Sequence, residues 1–299
     1  MKKKKQRIGV WILPALVSMS VIQFLPGFVS VLMGFTNLGV QNITNIANTK
    51  FVGLRNFIGI FKKGTVTGNQ FMISLFGTLE YTFLATAVTF LFGLGLALLL
   101  NQDFRGKAFV RAALIVPWIV PGVVAAFIWR LMFLSDYGVI NKLLRHAGLI
   151  KENIFWLLED KALMSLVIAH LWSNLPFVMI SILAALQTIS EELYEACKID
   201  GGNVFQRFLY ITVPGIKNVS VMIVLLSFIK GAGEFTLPYV MYGRSAPPGK
   251  ANLISILVYQ TSFQTWEFGQ GAAMSCVVLV IMLLLAILYM RLAMQEEKE

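Results

Sequence analysis

Two charged residues stand inside a long apolar stretch and are the clearest candidates for binding a polar solute. Lys230 and Glu234 are four positions apart, so on one helix they would face each other across a turn and could form an ion pair. Charged groups within a membrane are costly and often mark the path of a solute. The same two residues are equally suited to a structural ion pair between helices, and both interpretations stay open.

Polar, aromatic and small residues also interrupt two neighbouring apolar stretches. Tryptophan and glycine flank Pro121, and serine and asparagine precede Pro176. Alternatively, Asn174 satisfies carbonyls freed by Pro176, the tryptophans pack or anchor helices, and His170 is a hydrogen-bond partner in helix packing. We predict a solute path that comprises Trp118, Gly122, Ser173, Asn174, Phe177, Ser227, Lys230, Gly231 and Glu234.

The composition indicates that these residues are positioned by membrane helices. The 299 residues are 57% hydrophobic and 13% charged, whereas soluble domains are roughly 45–50% apolar and about 25% charged. A disordered chain and almost any soluble enzyme are excluded. The net charge of +10 is concentrated near the N-terminus and beside apolar runs, which is typical of membrane anchoring and not of nucleic-acid binding. Two cysteines and two histidines are too few for a disulfide framework or a metal cluster.

Six apolar runs are long enough to cross a bilayer, for which about 20 residues suffice. We expect an all-α membrane domain over residues 8–290, and the first run is read as a retained span and not as a signal peptide. Basic residues at 1–7 and 101–111 place both termini, 1–7 and 291–299, in the cytoplasm. The predicted spans are 8–35, 71–100, 109–133, 162–187, 219–242 and 271–290.

A polar segment at 188–217 separates the fourth and fifth spans and should lie in the cytoplasm. Ser190 suits a helix N-cap and Gly201 suits the position that ends that helix. Asn203 can cap a second helix, which Pro214 would then break. The pattern predicts a helical hairpin at the membrane surface, which either docks into a soluble partner or is an ordinary interfacial loop.

This segment resembles the EAA loop of binding-protein-dependent ABC transporter permeases. The family pattern is E-A-A, three residues, G, nine residues, then I-x-L-P. Here it reads Glu195-Ala196-Cys197, Gly201, then Ile211-Thr212-Val213-Pro214, with Cys for the second Ala and Val for Leu. Several other segments are similar to the first of the two permeases of carbohydrate-uptake systems. They are residues 51–57, 99–106, 136–138 and 265–269, together with ILPAL and FLPG near the start of the chain.

The resemblance implies the type I importer permease fold and a subunit without its own nucleotide site. It implies as partners a second permease, two ATPase subunits that bind ATP and magnesium, and an extracytoplasmic solute-binding protein, all around a chain embedded in the bilayer of a bacterial inner membrane. Cargo would be a sugar or oligosaccharide, for which aromatic faces and amides are suited. The coupling residues it implies are Glu195, Ala196, Cys197, Asp200, Gly201, Ile211 and Pro214.

Three other functions compete with a sugar permease. The same transporter class could import a charged solute such as glycerol phosphate, a uronate or a polyamine, and Lys230 and Glu234 are the residues that decide this. A membrane enzyme would need clustered catalytic groups, and no base partner stands near the acidic residues of 188–217. A secondary transporter usually shows internal repeats and more spans.

Overall fold

The computed structural model describes residues 8–243 and 247–295. The predicted cytoplasmic segment 1–7 and residues 296–299 of the predicted tail lie outside the described residues. Within the described ranges the regular elements are helical, apart from one bridge between Thr36 and Phe51. The helices are α1 Ile8–Met19, α2 Leu25–Met33, α3 Arg55–Phe61, α4 Val66–Asn101, α5 Lys107–Ile119, α6 Gly122–Met132, α7 Val139–His146, α8 Glu159–Leu186, α9 Glu191–Ile199, α10 Val204–Arg207, α11 Val213–Ala232, α12 Thr236–Tyr242, α13 Ile254–Tyr259 and α14 Phe268–Gln295.

The all-α membrane architecture expected from the apolar runs is confirmed. Five helical stretches are long and apolar enough to cross a membrane, and the α5–α6 pair is a sixth candidate that is bent by 99°. The five are Ile12–Met33, Val66–Asn101, Lys161–Leu186, Val204–Ala232 and Phe268–Arg291.

The third expected span, 109–133, is two helices that meet at a corner. Val120 is extended, with φ −71° and ψ 125°, and Pro121 is the N-cap of α6. A residue before proline is pushed out of the helical region because the proline ring crowds its backbone. Pro117 and Pro176, in contrast, lie within the continuous helices α5 and α8.

The fifth expected span, 219–242, is also interrupted. Helix α11 ends at Ala232, and α12 begins at Thr236. Gly233 caps α11 and Glu234 lies in the break. Because α11 ends at Ala232, Lys230 and Glu234 do not lie on one continuous helix, which corrects the expectation that they share one helix.

The chain divides into two compact units. One comprises the part up to Met72 together with Leu257–Val280. In it, the Phe35 ring packs on Phe51 and Phe57, with ring centroids 6.2 and 4.9 Å away, and the Asn56 amide donates to the carbonyls of Gly34 and Thr36. These contacts fix the chain between α2 and α3.

The other unit comprises Ile73–Ile256 and the chain from Ile281 onward. Its buried residues form two apolar clusters, one around Tyr81, Phe133 and Leu166 and the other around Leu100, Met179 and Ile182. The long helices α4 and α8 contribute to both clusters. They therefore form the scaffold on which the breaks of α5–α6 and α11–α12 are held.

Part of the expected outer loop 243–270 is packed into this second unit. Ala251, Leu253 and Ile254 are at most 2% exposed. The backbone N–H of Ile254 donates to Thr78 Oγ1 at 2.8 Å, and a Cβ on Gly77 would overlap the carbonyl oxygen of Lys250. The segment is buried because its own side chains are apolar and because Gly77 on α4 leaves room for its backbone.

Candidate functional site

The predicted hairpin is present, and glycines close its first turn. Helix α9 follows Ser190, whose backbone is extended as at an N-cap, although its hydroxyl makes no capping hydrogen bond. After α9, Gly201 has φ +81°. Its N–H donates to the carbonyl of Lys198 at 3.1 Å, and the N–H of Gly202 donates to that of Cys197 at 2.7 Å. This is the Schellman arrangement that glycine favours at a helix end.

The second arm of the hairpin runs without interruption into α11. Asn203 and Gln206 form a reciprocal capping box at the start of α10. A π-helical turn, Phe208–Thr212, then leads into α11, where Pro214 lies in the first turn. The expectation that Pro214 breaks this helix is wrong, because the π turn directly before Pro214 rearranges the backbone hydrogen bonds and lets the helix continue past it.

The two arms contact each other and leave apolar side chains exposed. The hydroxyls of Tyr194 and Thr212 lie 3.0 Å apart. Ile199 is 86% exposed and Val204 is 73% exposed, an arrangement that suits docking to another protein. Of the predicted coupling residues, Cys197 and Ile211 are half-buried, and the exposed ones are Glu195, Ala196, Asp200, Gly201 and Pro214.

A polar cleft of about 550 Å³ lies beside α9. Asn101 at the end of α4 and Gln187 just after α8 line it together with Glu195, Lys198 and Arg207. The cleft therefore lies between α9 and the ends of both scaffold helices.

The predicted solute-path residues are partly brought together. Lys230 Nζ donates to Asn174 Oδ1 at 2.6 Å, which joins α11 to α8. Asn174 Nδ2 donates to the carbonyl of His170 at 3.0 Å. The carbonyl that Pro176 frees belongs to Trp172, four residues earlier, so the Asn174 amide does not serve the carbonyl expected from the alternative interpretation.

An aromatic pair lies one turn further along α8 from Asn174. Phe177 follows Asn174 by one turn of α8, and its ring centroid is 6.3 Å from that of Trp118 on α5. Trp118 is 54% exposed. We call Trp118, Asn174, Phe177 and Lys230 the polar–aromatic strip. Ser227, half-buried, lies one turn before Lys230 on α11.

Other predicted path residues are engaged in packing or in backbone contacts. Gly231 is buried, and a Cβ there would come within 3.3 Å of Thr82 on α4. Gly122 is exposed, with Thr236 as the neighbour of its missing side chain at 3.8 Å. The hydroxyl of Ser173 donates to the carbonyl of Ala169 at 3.1 Å. Glu234 Oε1 accepts the N–H of Leu237 at 3.1 Å in the first turn of α12.

Two further polar contacts of this unit have partners that the sequence did not indicate. The buried hydroxyl of Tyr81 lies 2.9 Å from His170 Nδ1, which confirms that His170 is a hydrogen-bond partner in helix packing but adds its partner on α4. Lys250 pairs with Glu80 at 2.6 Å. In each contact the two partners lie far apart in the chain, so sequence spacing could not predict either contact.

Comparison with known proteins assigns this arrangement to a class. Residues 89–294 match the model of the family described as binding-protein-dependent transport system inner membrane component. The chain is 32% identical to the trehalose/maltose transport system permease protein MalF of Thermococcus litoralis over 97% of its own length and 95% of that protein. It is 28% identical to the sulfoquinovosyl glycerol transport system permease protein SmoG of Agrobacterium fabrum, over 93% and 87% respectively.

The fold is also that of a solved importer. A bacterial ABC transporter involved in the import of the acidic polysaccharide alginate contains a chain that superposes with a TM-score of 0.81, covering 96% of this chain and 95% of that one. The sequences are 20% identical. The likeness therefore concerns the arrangement of helices, which agrees with the fold expected from the EAA-like segment.

Proposed function

Because the chain belongs to the family of binding-protein-dependent transport system inner membrane components, we propose that it is a permease subunit of an ATP-driven importer of a sugar or oligosaccharide. A relative over nearly the full chain is named for trehalose and maltose transport. The polar–aromatic strip supports this cargo, since rings stack on sugar faces and amides bind hydroxyls. A second permease would complete the path along this face.

The observation that carries the proposal is the hairpin formed by α9 and α10. Its exposed apolar residues suit a partner, and it lines a polar cleft together with the ends of α4 and α8. We propose that two ATPase subunits bind ATP and magnesium and grip the hairpins of the two permeases. Closure of the ATPases would shift the balance between inward-open and outward-open arrangements of the spans. An extracytoplasmic solute-binding protein would deliver the cargo.

This mechanism requires that the chain lies in the inner membrane of a bacterium. Both termini and the hairpin would then face the cytoplasm. Basic residues support this orientation, because the first seven residues and the loop between α4 and α5 are rich in lysine and arginine. Partner subunits supply the nucleotide chemistry in this scheme, and the permease itself forms and opens the path.

Site-specific photocrosslinking in intact membranes tests the proposal. A benzoylphenylalanine at Ile199, 86% exposed on the hairpin, should crosslink to an ATPase subunit. The matched control is the same probe at Leu143, 63% exposed on α7 between the third and fourth spans, which should not. A hairpin that crosslinks to no nucleotide-hydrolysing subunit, or that is labelled by an impermeant reagent from outside the cell, would overturn the assignment.

A further inference from the structure

The Lys230 ammonium is presented to the solute path with a neutral partner. Its hydrogen bond goes to the amide oxygen of Asn174 at 2.6 Å, and the residue is exposed. In the part of the chain that the structure describes, ion pairs include Lys107 with Asp103 and Lys250 with Glu80. Lys230 forms no ion-pair contact with another described residue, although the Glu234 carboxylate attracts it through space.

The nearest acidic residue in the sequence is held by other groups. The break after Ala232 separates Glu234 from α11, and its Oε1 accepts the N–H of Leu237 at the start of α12. The backbone carbonyl of Glu234 accepts the hydroxyl of Ser255 at 2.6 Å. Both its side chain and its backbone are therefore fixed at the N-terminus of α12, where a carboxylate is favourable.

The position of Lys230 also argues against a lysine that faces lipid. Lysines near lipid extend towards the membrane surface, whereas this one reaches across to an amide on α8. Asn174 in turn is one helical turn from Phe177, which contacts Trp118. Lys230 lies in the last turn of α11, and with a neutral hydrogen-bond partner its charge remains to attract a negative group that arrives during transport.

We infer that the saccharide carried by this subunit bears a negatively charged group, such as the carboxylate of a uronate or the sulfonate of a sugar sulfonate, and that Lys230 binds that group. This inference rests on the proposed function and specifies its cargo. An ammonium has three donors, and Asn174 accepts one of them. The other two are available to the acidic group, while Trp118 and Phe177 offer faces to the sugar ring.

The test uses the complete transporter with its binding protein in proteoliposomes and measures ATP-dependent uptake of individual radiolabelled saccharides. Digalacturonate and sulfoquinovosyl glycerol are the acidic probes, and maltose and trehalose are the neutral ones. We expect uptake of an acidic probe. Lys230→Met should lower it about 10- to 100-fold, as expected for the loss of a charge-assisted hydrogen bond, and Lys230→Arg should retain most of it.

A second variant separates charge from structure. Asn174→Asp keeps the size of the side chain but places a carboxylate against the Lys230 ammonium, so the protein itself would neutralise the charge. Uptake of the acidic probe should then fall about tenfold or more with the complex fully assembled. Lys142→Met, at an exposed position on α7, is the control that should leave uptake unchanged.

Each failure has a distinct meaning. Uptake of neutral saccharides alone, or undiminished uptake of an acidic probe by Lys230→Met, would overturn the charge inference and leave the sugar permease intact. ATP-driven uptake of a solute that is not a saccharide, with no uptake of any saccharide probe, would overturn the proposed cargo itself.

Discussion

The turn that follows α9 should depend on the backbone of Gly201 and not on the space around it. Its φ of +81° lies in the left-handed region, and no atom lies within 4 Å of the position that a Cβ would take. A side chain there meets only backbone strain, which is about 1–2 kcal/mol for an ordinary L-residue. The hydrogen bonds at stake are the two that close α9 through the N–H groups of Gly201 and Gly202.

This cost sets the size and order of the expected effects. A penalty of 1–2 kcal/mol reduces the population of the native turn about 5- to 30-fold. Asparagine tolerates the left-handed region better than alanine, and a β-branched residue tolerates it worst. Coupled activity should therefore fall in the order wild type, Gly201→Asn, Gly201→Ala and Gly201→Val.

The assay is ATP hydrolysis stimulated by the loaded binding protein, together with uptake, in the reconstituted complex. Gly64→Ala is the matched control, because Gly64 also has φ +81° and open space around it but lies between α3 and α4. It should carry the same strain and leave stimulated hydrolysis unchanged. The reasoning is refuted when Gly201→Asn is as damaging as Gly201→Val, or when the Gly64 variant uncouples equally.

Three further predictions concern packing within the second unit. Gly77→Ala should destabilise the solubilised complex by about 1–3 kcal/mol and lower its midpoint of thermal unfolding, because the added Cβ would meet the backbone of Lys250. The control is Gly95→Ala on the same helix, which has open space and should be neutral or stabilising by up to about 1 kcal/mol. Equal unfolding midpoints for the two variants would contradict this prediction. Tyr81→Phe should cost about 1–3 kcal/mol in the same measurement, since the buried His170 Nδ1 loses its partner; an unchanged midpoint would show that the bond contributes nothing. Asn141→Ala removes a side chain that forms hydrogen bonds with Ser135, Ile154 and Trp156. Limited proteolysis should then cleave residues 147–155 faster, with uptake little changed. Identical cleavage rates would show that Asn141 does not hold this loop in place.

Local rules predicted the hairpin well because its geometry depends on nearest neighbours in the chain. The αL position of Gly201 and the cap at Asn203 follow from the backbone freedom of glycine and from a short amide side chain. Pro214 was misjudged because the effect of a proline depends on the backbone that precedes it. The π turn Phe208–Thr212 lies directly before Pro214, and the helix continues through it into α11.

The sequence indicated which residues were candidates for the solute path, but not which residues they would contact. Apolar context singled out Lys230, Asn174 and Glu234 as polar residues of interest. Their partners depend on the break at Gly233 and on which face of α8 meets α11. Helix periodicity therefore paired Lys230 with Glu234, whereas the fold pairs it with a residue 56 positions away.

The sequence by itself determined a helical membrane protein, the limits of its apolar runs and the hairpin that identifies its family, because hydropathy and turn chemistry act over a few residues. Only the tertiary structure decided that the third run forms a 99° corner, that residues 251–256 pack inside the second unit, and that the Lys230 ammonium meets an amide. Those features arise where distant segments compete for the same buried space and hydrogen-bond partners, and no local pattern encodes the result of that competition.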